Sequence, residues 1–429
     1  MRLETSDSGV ARGLAPTRAV FDNGVVFLGK HTRTTPAVAI SLAMRAGSMC
    51  DPPDAVGATW LLSRLIDRGT PSRSALDIAD ELDSRGISLT FTVTRHIVSL
   101  VCTCLAEDFD PVFSLLGDLL TAPSLPDAEI ATRKGEVVTA IRQVEDSPAV
   151  RSTESLMTLL YPGGHPYGRP TKGTVATVEH LTREQLVRLH ADRFAPSELT
   201  AVVVGDIEVE RARDLAASVF GDWRKPRPAP VPLASPAPAV GRRRLVIPMM
   251  NKAQTDVAYG FTTIRRADPA YEALRLMNNV LGQYALGGRL GDSIRERQGM
   301  AYYVSSAVDP NVVEGPLLIR AGVGAANVDR AVASIDEELT RLVEEGVSAG
   351  ELDASRQYLV GSLPRALETN AAIATFLQMA EFFGLGTDYD VRMPALLRAV
   401  TLDEVNAIAR RVIDPSRAAI VIAGPYERP

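Results

Sequence analysis

The 429-residue chain has little cysteine, few aromatic residues and no long apolar run. Its three cysteines, Cys50, Cys102 and Cys104, lack C-x-x-C spacing, so neither a disulfide framework nor a thiolate zinc site is indicated. Cys102 and Cys104 alternate within an apolar run, and we expect both to be buried in a strand. No apolar stretch approaches the roughly 20 residues of a membrane-spanning helix, and Met1–Asn23 lacks the apolar core of a secretory signal. We therefore expect a cytoplasmic protein without a membrane partner.

Clustered charge and common catalytic motifs are also missing. The net charge is −6 and the basic residues are scattered, so no nucleic-acid partner is expected. The chain has no G-x-S-x-G, P-loop or G-x-G-x-x-G motif. The histidines are isolated from other metal-ligating residues, and we expect them to form local hydrogen bonds at the surface or in loops: His31, His96, His165, His180 and His190.

Proline, in contrast, is concentrated in one segment. Six prolines lie between Arg224 and Arg244, and such a segment neither pairs in a sheet nor continues a helix. We predict a domain at residues 1–223, a Pro-rich linker at 224–244 and a second domain at 245–429.

The two predicted domains repeat one pattern at an offset of about 220 residues. The segment 181–207 aligns without a gap with 400–426, and each indicates a helix, a Pro-Ser turn and a buried strand. Asp51-Pro52 near the start of the chain corresponds to Asp268-Pro269 in the second domain. These matches occur in the same order, and this order favours an internal duplication.

Local patterns predict helices and strands that are intermixed. Residues 74–86 have helical spacing, whereas 87–93 and 98–104 alternate as the strands of an antiparallel hairpin. Further helices are predicted at 108–120, at 127–145 and after a capping box that begins at Ser348. The predicted fold class is α+β, with two homologous domains, each a mixed or antiparallel β-sheet with helices packed on it.

Several strings occur in a characteristic order along the chain: Ala46-Gly47-Ser48, the segment 165–170 followed by Gly173-Thr174, Val204-Gly205-Asp206, Gly287-Gly288, and the segment 295–302. In order and spacing these strings resemble the pitrilysin or insulinase-type zinc peptidases, and the resemblance covers nearly the whole chain. The family's chemistry depends on an inverted zinc motif, H-x-x-E-H, on the first helix, with a third carboxylate ligand farther along.

The resemblance implies that the zinc site is altered in this chain. The frame of the motif is present as Gly57-Ala58-Thr59 and Gly69-Thr70. The ligand and base positions, however, hold other residues: Trp60, Ser63, Arg64 and Ala140. Glu136, one turn before Ala140, does not complete a tetrahedral site beside an arginine. We therefore expect no intrinsic catalytic residue, no metal and no cofactor in this chain.

The resemblance also implies a retained substrate contact. In the family, a zinc-free half contributes an arginine and a tyrosine, seven residues apart, that close over the substrate at the partner's metal. Arg295 and Tyr302 match that spacing, and strand alternation should turn the adjacent Tyr303 to the opposite side. Both groups donate hydrogen bonds to a peptide carbonyl oxygen or to an oxyanion.

The favoured interpretation is a non-catalytic subunit of a heterodimeric zinc peptidase. Its partner would be a homologous H-x-x-E-H chain that holds zinc, and its substrate an unfolded peptide. Gly287-Gly288 is far shorter than the glycine-rich loop of the mitochondrial non-catalytic subunit, so presequence specificity does not follow. One alternative is a metal-free homodimer that binds peptides or acts as a structural scaffold. A second, an unrelated activity within the chamber, has no supporting residue pattern.

Overall fold

A computed structural model describes residues 13–283 and 287–427. Residues 1–12 of the N-terminal segment considered above lie outside this range. Segment 221–242 contains neither helix nor strand and separates an N-terminal half from a C-terminal half. Strand pairing begins again at Arg243, one residue before the end of the predicted linker. No helix in the described ranges is both long enough and apolar enough to cross a membrane.

The N-terminal half contains a six-stranded sheet in the order β1-β2-β6-β3-β5-β4. Only β2 and β6 are parallel, and the other neighbours are antiparallel. The strands are β1 (Thr17–Val20), β2 (Val26–His31), β3 (Ala37–Met44), β4 (Ser88–Val93), β5 (Val98–Leu105) and β6 (Leu199–Gly205).

The C-terminal half contains a five-stranded sheet in the order β7-β11-β8-β10-β9. Its single parallel pair is β7 and β11. The strands are β7 (Arg243–Pro248), β8 (Thr255–Thr262), β9 (Ala301–Val308), β10 (Pro316–Val323) and β11 (Ala419–Gly424). Both sheets are therefore mixed and mainly antiparallel, as the sequence predicted.

Helices pack on both sheets, which confirms the α+β fold class. The helices of the N-terminal half are α1 (Ala58–Ser63), α2 (Ala75–Asp83), α3 (Phe109–Thr121), α4 (Asp127–Glu145), α5 (Pro148–Leu160), α6 (Val175–His180), α7 (Arg183–Arg193) and α8 (Val209–Phe220). Those of the C-terminal half are α9 (Tyr271–Asn278), α10 (Val328–Glu344), α11 (Ala349–Ala366), α12 (Asn370–Phe382), α13 (Tyr389–Ala399) and α14 (Leu402–Val412), with π-helical turns at Asn279–Gln283 and Gly291–Arg297.

The repeated segments fold alike, down to their hydrogen bonds. Thr182 and Thr401 are the N-caps of α7 and α14, and each forms a capping box with the side chain three residues later. A short turn then leads into β6 or β11, and both strands are buried along their whole length. The predicted hairpin is also confirmed as β4 and β5, with Cys102 and Cys104 buried.

One helix of each half packs on the outer face of the other half's sheet. Leu156 and Leu160 of α5 pack against Ala258 and Val421 of the second sheet. Reciprocally, α12 packs Ile373, Ala374 and Leu377 on the first sheet. Pro148 and Asn370, where the two helices begin, are separated by the same offset as the sequence repeat. The exchange therefore follows from the duplication.

Hydrogen bonds across this exchange fix the two halves together. Gln378 on α12 accepts a bond from the Ser41 hydroxyl at 2.5 Å and donates one to the Ser99 hydroxyl at 3.0 Å. Asn370 donates to the Ala37 carbonyl oxygen at 3.0 Å. Because these groups are largely removed from water, the bonds specify how α12 is oriented on the sheet.

Candidate functional site

Helix α1 begins at a glycine of the motif frame. Gly57 has a φ of +97°, and a side chain there would lie 2.6 Å from the Lys172 carbonyl oxygen, so glycine is required. The buried Asp51 carboxylate accepts hydrogen bonds from the Gly57 N–H, the Thr59 N–H and the Thr59 hydroxyl. Burial nevertheless raises the pKa of Asp51 to about 6. Gly57 and Thr59 of the motif frame thus have structural roles, in close packing and in hydrogen bonding to Asp51, that do not depend on zinc ligands.

The altered motif positions on α1 contact one another. Ser63 is buried, and its hydroxyl donates to the Trp60 carbonyl oxygen at 2.7 Å. Arg64 follows the last residue of α1, and its guanidinium carbon lies 4.9 Å from the centre of the Trp60 ring. The Lys172 amine lies 5.3 Å from the same ring. Trp60 and Arg64, which occupy the two imidazole positions of the family motif, therefore form a cation–π contact, and Lys172 adds a second cation from outside the motif.

The fourth position, on α4, does not supply a ligand either. Ala140 is half-buried, and Glu136 one turn earlier accepts hydrogen bonds from Arg133 at 2.6 Å. Within residues 13–283 and 287–427, no three His, Cys, Asp or Glu side chains are grouped so that they could hold a metal ion. A structural or catalytic zinc site needs at least three such ligands. The residues present do not fit the zinc of the family motif.

The expectation of surface or loop histidines is wrong for His190, which is buried on α7, whereas His96 lies in the β4–β5 turn as expected but is buried and bonds to a distant residue. His96 and His190 are 8% and 9% exposed. Their Nε2 atoms lie 2.6 Å from the Tyr167 hydroxyl and 2.9 Å from the Leu120 carbonyl oxygen, respectively. Burial lowers the pKa of each to about 4, because the charged imidazolium loses its hydration. The remaining three are more exposed, as expected: His31, His165 and His180.

Arg295 lies in the π-helical turn Gly291–Arg297, and its side chain forms few interactions with the described part of its own chain. Its side chain is 45% exposed, and its one ion pair in the described part of the chain is with the adjacent Glu296 at 3.7 Å. Such an exposed pair contributes little. The backbone beyond it is anchored, however, because the Gly299 N–H donates to the Arg295 carbonyl oxygen at 3.0 Å and Met300 is 5% exposed.

The two tyrosines that follow have different environments. Tyr302 is 82% exposed, and its hydroxyl has no hydrogen-bond partner among residues 13–283 and 287–427. Tyr303 is half-buried, packs near Gly322 and donates to the buried Asp256 carboxylate. Burial and this carboxylate raise the pKa of Tyr303. The alternation predicted for the pair is confirmed, although no side-chain contact joins Tyr302 to Arg295 in the described ranges.

Two family models match consecutive parts of the chain. Residues 26–175 match the insulinase model of peptidase family M16, and residues 180–359 match the peptidase M16 inactive domain. Together these ranges include every strand of both sheets except β1 and β11, and they also include the helix with the altered motif and the Arg295–Tyr302 segment. The chain belongs to peptidase family M16.

Known relatives resemble the chain over almost its full length. An uncharacterized zinc protease of Mycobacterium tuberculosis is 26% identical, with 98% of this chain and 96% of the relative covered. One of Bacillus subtilis is also 26% identical, with 95% and 98% covered. A peptidase M16 inactive domain structure from Pseudomonas fluorescens superposes with a TM-score of 0.89 at 24% identity, covering 97% of this chain and all of that one. A protease structure from Helicobacter pylori gives 0.88 at 16% identity, covering 96% of this chain and all of that one, which supports the fold.

Sequence analysis did not predict the cations around Trp60. Arg95, Arg169 and Lys172 lie on the β4–β5 turn and on the loop before α6, far from α1 in sequence. The family string that contains Arg169 was visible, but its position relative to α1 was not. Only the fold brings these three side chains to one cavity beside Trp60.

Proposed function

We propose that this chain is the non-catalytic subunit of a heterodimeric M16 peptidase. The partner is a separate chain of the same fold with an H-x-x-E-H helix, and it holds the zinc. The proposal depends most on one observation: Arg295 and Tyr302 are 45% and 82% exposed, and with the residues that the structure describes they make almost none of the contacts that a structural role would require.

The chemistry of this pair suits a peptide whose carbonyl group is under attack. A guanidinium and a phenol both donate hydrogen bonds, and both become more effective as negative charge develops on the carbonyl oxygen. Because Gly299 and Met300 are anchored, the backbone between Arg295 and Tyr302 has restricted freedom, and less conformational entropy is lost when a substrate binds. Arg295 and Tyr302 therefore act as donors to the peptide, whereas water activation belongs to the partner.

An exposed sheet edge offers a binding mode for the rest of the peptide. Strand β4 is an edge strand of the first sheet and lies next to α1. An extended peptide can add to such an edge through main-chain hydrogen bonds, which select for length and conformation more than for sequence. This mode supports an unfolded peptide as the substrate class.

Reconstitution tests the proposal. The chain is mixed with an H-x-x-E-H homologue from the same organism, and the mixture is separated by size-exclusion chromatography and assayed with an unfolded peptide. We expect a one-to-one complex and cleavage that requires both chains. Full activity of the homologue alone, unchanged by this chain, would instead favour the metal-free homodimer or scaffold.

A further inference from the structure

A cavity of about 220 Å³ lies beside the altered motif. One part of its lining is apolar and includes Trp60, Val93 and Met157. Its volume is below the roughly 300–1,000 Å³ of most small-molecule pockets. The cavity therefore suits one residue of a peptide better than a folded surface or a large ligand.

Two guanidinium groups line the cavity and are fixed by backbone carbonyls. Arg95 donates through Nε and Nη2 to the Tyr167 carbonyl oxygen at 3.3 and 3.1 Å. Arg169 donates through Nε to Gly164 and through Nη1 to Asp51, at 3.0 and 3.1 Å. In the described ranges, Nη1 of Arg95 and Nη2 of Arg169 have no acceptor. Each arginine thus keeps a free donor in a preorganised position.

The charges of the cavity do not balance. Lys172 is the third cation of the lining, and Arg64 contacts the Trp60 ring from α1. Within the described residues no carboxylate lies within salt-bridge distance of these four cations, but each interacts with one at longer range: Arg95 with Asp309, Arg169 with Asp51, Lys172 with Glu154 and Arg64 with Asp67. Of these carboxylates, Glu154 is the one that lines the cavity. Three lining cations against a single carboxylate leave an excess positive charge that favours an anion.

The cavity also lies at one end of an exposed sheet edge. Val93 is the last residue of edge strand β4, and it lines the cavity. A peptide that added to β4 in the parallel direction would end at Val93 with its carboxyl terminus. An antiparallel peptide would bring its amino terminus there instead, and the cations would repel it.

We propose that this cavity binds the C-terminal carboxylate of a peptide. The free donors of Arg95, Arg169 and Lys172 hold the carboxylate, and Trp60 and Met157 pack on the last side chain. The inference shares with the proposed function the peptide as ligand and its addition to the edge of β4. It is tested on this chain alone, so its failure and a failure of heterodimer formation are separate results.

Tryptophan fluorescence can report this binding directly. The chain has two tryptophans, so Trp223→Phe leaves Trp60 as the single reporter. The full-length variant is titrated with an N-acetylated peptide, Ala-Ala-Ala-Leu, that ends either in a free carboxylate or in an amide. We expect saturable binding of the acid and at least about 10-fold weaker binding of the amide, because charge-assisted hydrogen bonds are lost. Calorimetry on the unsubstituted chain repeats the comparison if Trp223→Phe folds poorly.

Three substitutions assign the binding to the cavity. Lys172→Met should weaken binding of the acid about 2- to 5-fold, and Glu154→Gln should strengthen it by a similar factor. Lys225→Met is the matched control, because Lys225 lies 5.9 Å from the Trp223 ring in a similar cation–π contact elsewhere. It should leave binding unchanged in the calorimetric experiment on the chain that retains Trp223.

Two results would overturn the inference. Equal affinity for the acid and the amide would show that the terminal carboxylate is not recognised. Equal affinity for the acid and for an amidated peptide with an internal glutamate would show that any acidic side chain suffices, without selection for a terminus.

Discussion

The altered motif and the Arg295–Tyr302 segment differ in how the rest of the chain uses them. At α1, Ser63 is buried and Arg64 contacts the Trp60 ring, so both replacements are integrated into local packing. In the C-terminal half, Tyr302 is 82% exposed, and Arg295 has a single weak ion pair with another residue of the described part of the chain. Local packing therefore explains Ser63 and Arg64, whereas it does not explain Arg295 and Tyr302.

This difference indicates where function remains in the chain. A tryptophan, a serine and an arginine packed together offer none of the imidazole, thiolate or carboxylate groups that ligate zinc. An exposed guanidinium and an exposed phenol on an anchored turn are available to another molecule. Packing and a cationic cavity thus occupy the region of the altered motif, whereas Arg295 and Tyr302 are accessible for the substrate contact that we propose.

The largest expected contrast is all-or-none. The isolated chain should bind no stoichiometric zinc and cleave no peptide, because Trp60, Ser63, Arg64 and Ala140 offer no imidazole or carboxylate. Elemental analysis and a peptide assay check this. One tightly held zinc per chain, with cleavage that a chelator abolishes, would remove the distinction between the two regions.

The next largest effect concerns Arg295 in the reconstituted complex. Arg295→Ala should lower turnover by about 100- to 1,000-fold if the guanidinium stabilises developing charge in a dry site. Arg297→Ala is the matched control, because Arg297 belongs to the same π-helical turn and pairs with Asp292 at 2.9 Å. Equal losses for both variants would indicate a general effect on the turn.

A smaller effect separates the two regions by stability. Trp60→Ala removes a half-buried aromatic ring that contacts two cations, and we expect it to lower the free energy of unfolding by about 2 kcal/mol. Tyr302→Ala should change it by less than about 0.5 kcal/mol, since the side chain is exposed. Urea unfolding of both variants measures the difference, and similar losses would show that Tyr302 also has a structural role.

The smallest effect is a pH dependence of the free energy of unfolding that arises from two histidines of the N-terminal half. Burial lowers the pKa of His96 and His190 to about 4, below the roughly 6.5 of the unfolded chain. At these two sites the unfolded chain therefore binds more protons between these values, and the stability that the two neutral histidines contribute falls as the pH drops through this window. Between pH 7 and pH 6 each histidine should cost about 0.7 kcal/mol. His96→Gln should reduce the slope in urea unfolding, whereas an unchanged slope would assign it to other groups.

Short-range patterns were enough to predict much of the fold. The capping boxes at Thr182 and Thr401 and the alternation in the β4–β5 hairpin depend on neighbours within a few residues, so the sequence displays them. The altered zinc motif could also be recognised from the sequence, because its frame lies within one short segment.

Features that depend on distant contacts were not predicted. The exchange of α5 and α12 between the halves joins residues more than a hundred positions apart, such as Leu156 and Val421. His96 and His190 are buried by elements that their neighbours in sequence do not reveal. Likewise, Arg95 and Lys172 approach Trp60 from two separate loops.

The central claim is that Tyr302 serves a substrate rather than the fold, and Tyr302→Phe tests it most directly. In the complex with the H-x-x-E-H partner, we expect turnover to fall by about 100-fold or more, with assembly, zinc content and melting temperature unchanged. Tyr303→Phe is the adjacent control and should behave in the opposite way. It removes a donor to the buried Asp256 carboxylate and should cost about 1 kcal/mol of stability while turnover is retained. Equal turnover of the Tyr302→Phe complex and the unsubstituted complex at subsaturating peptide would contradict the account.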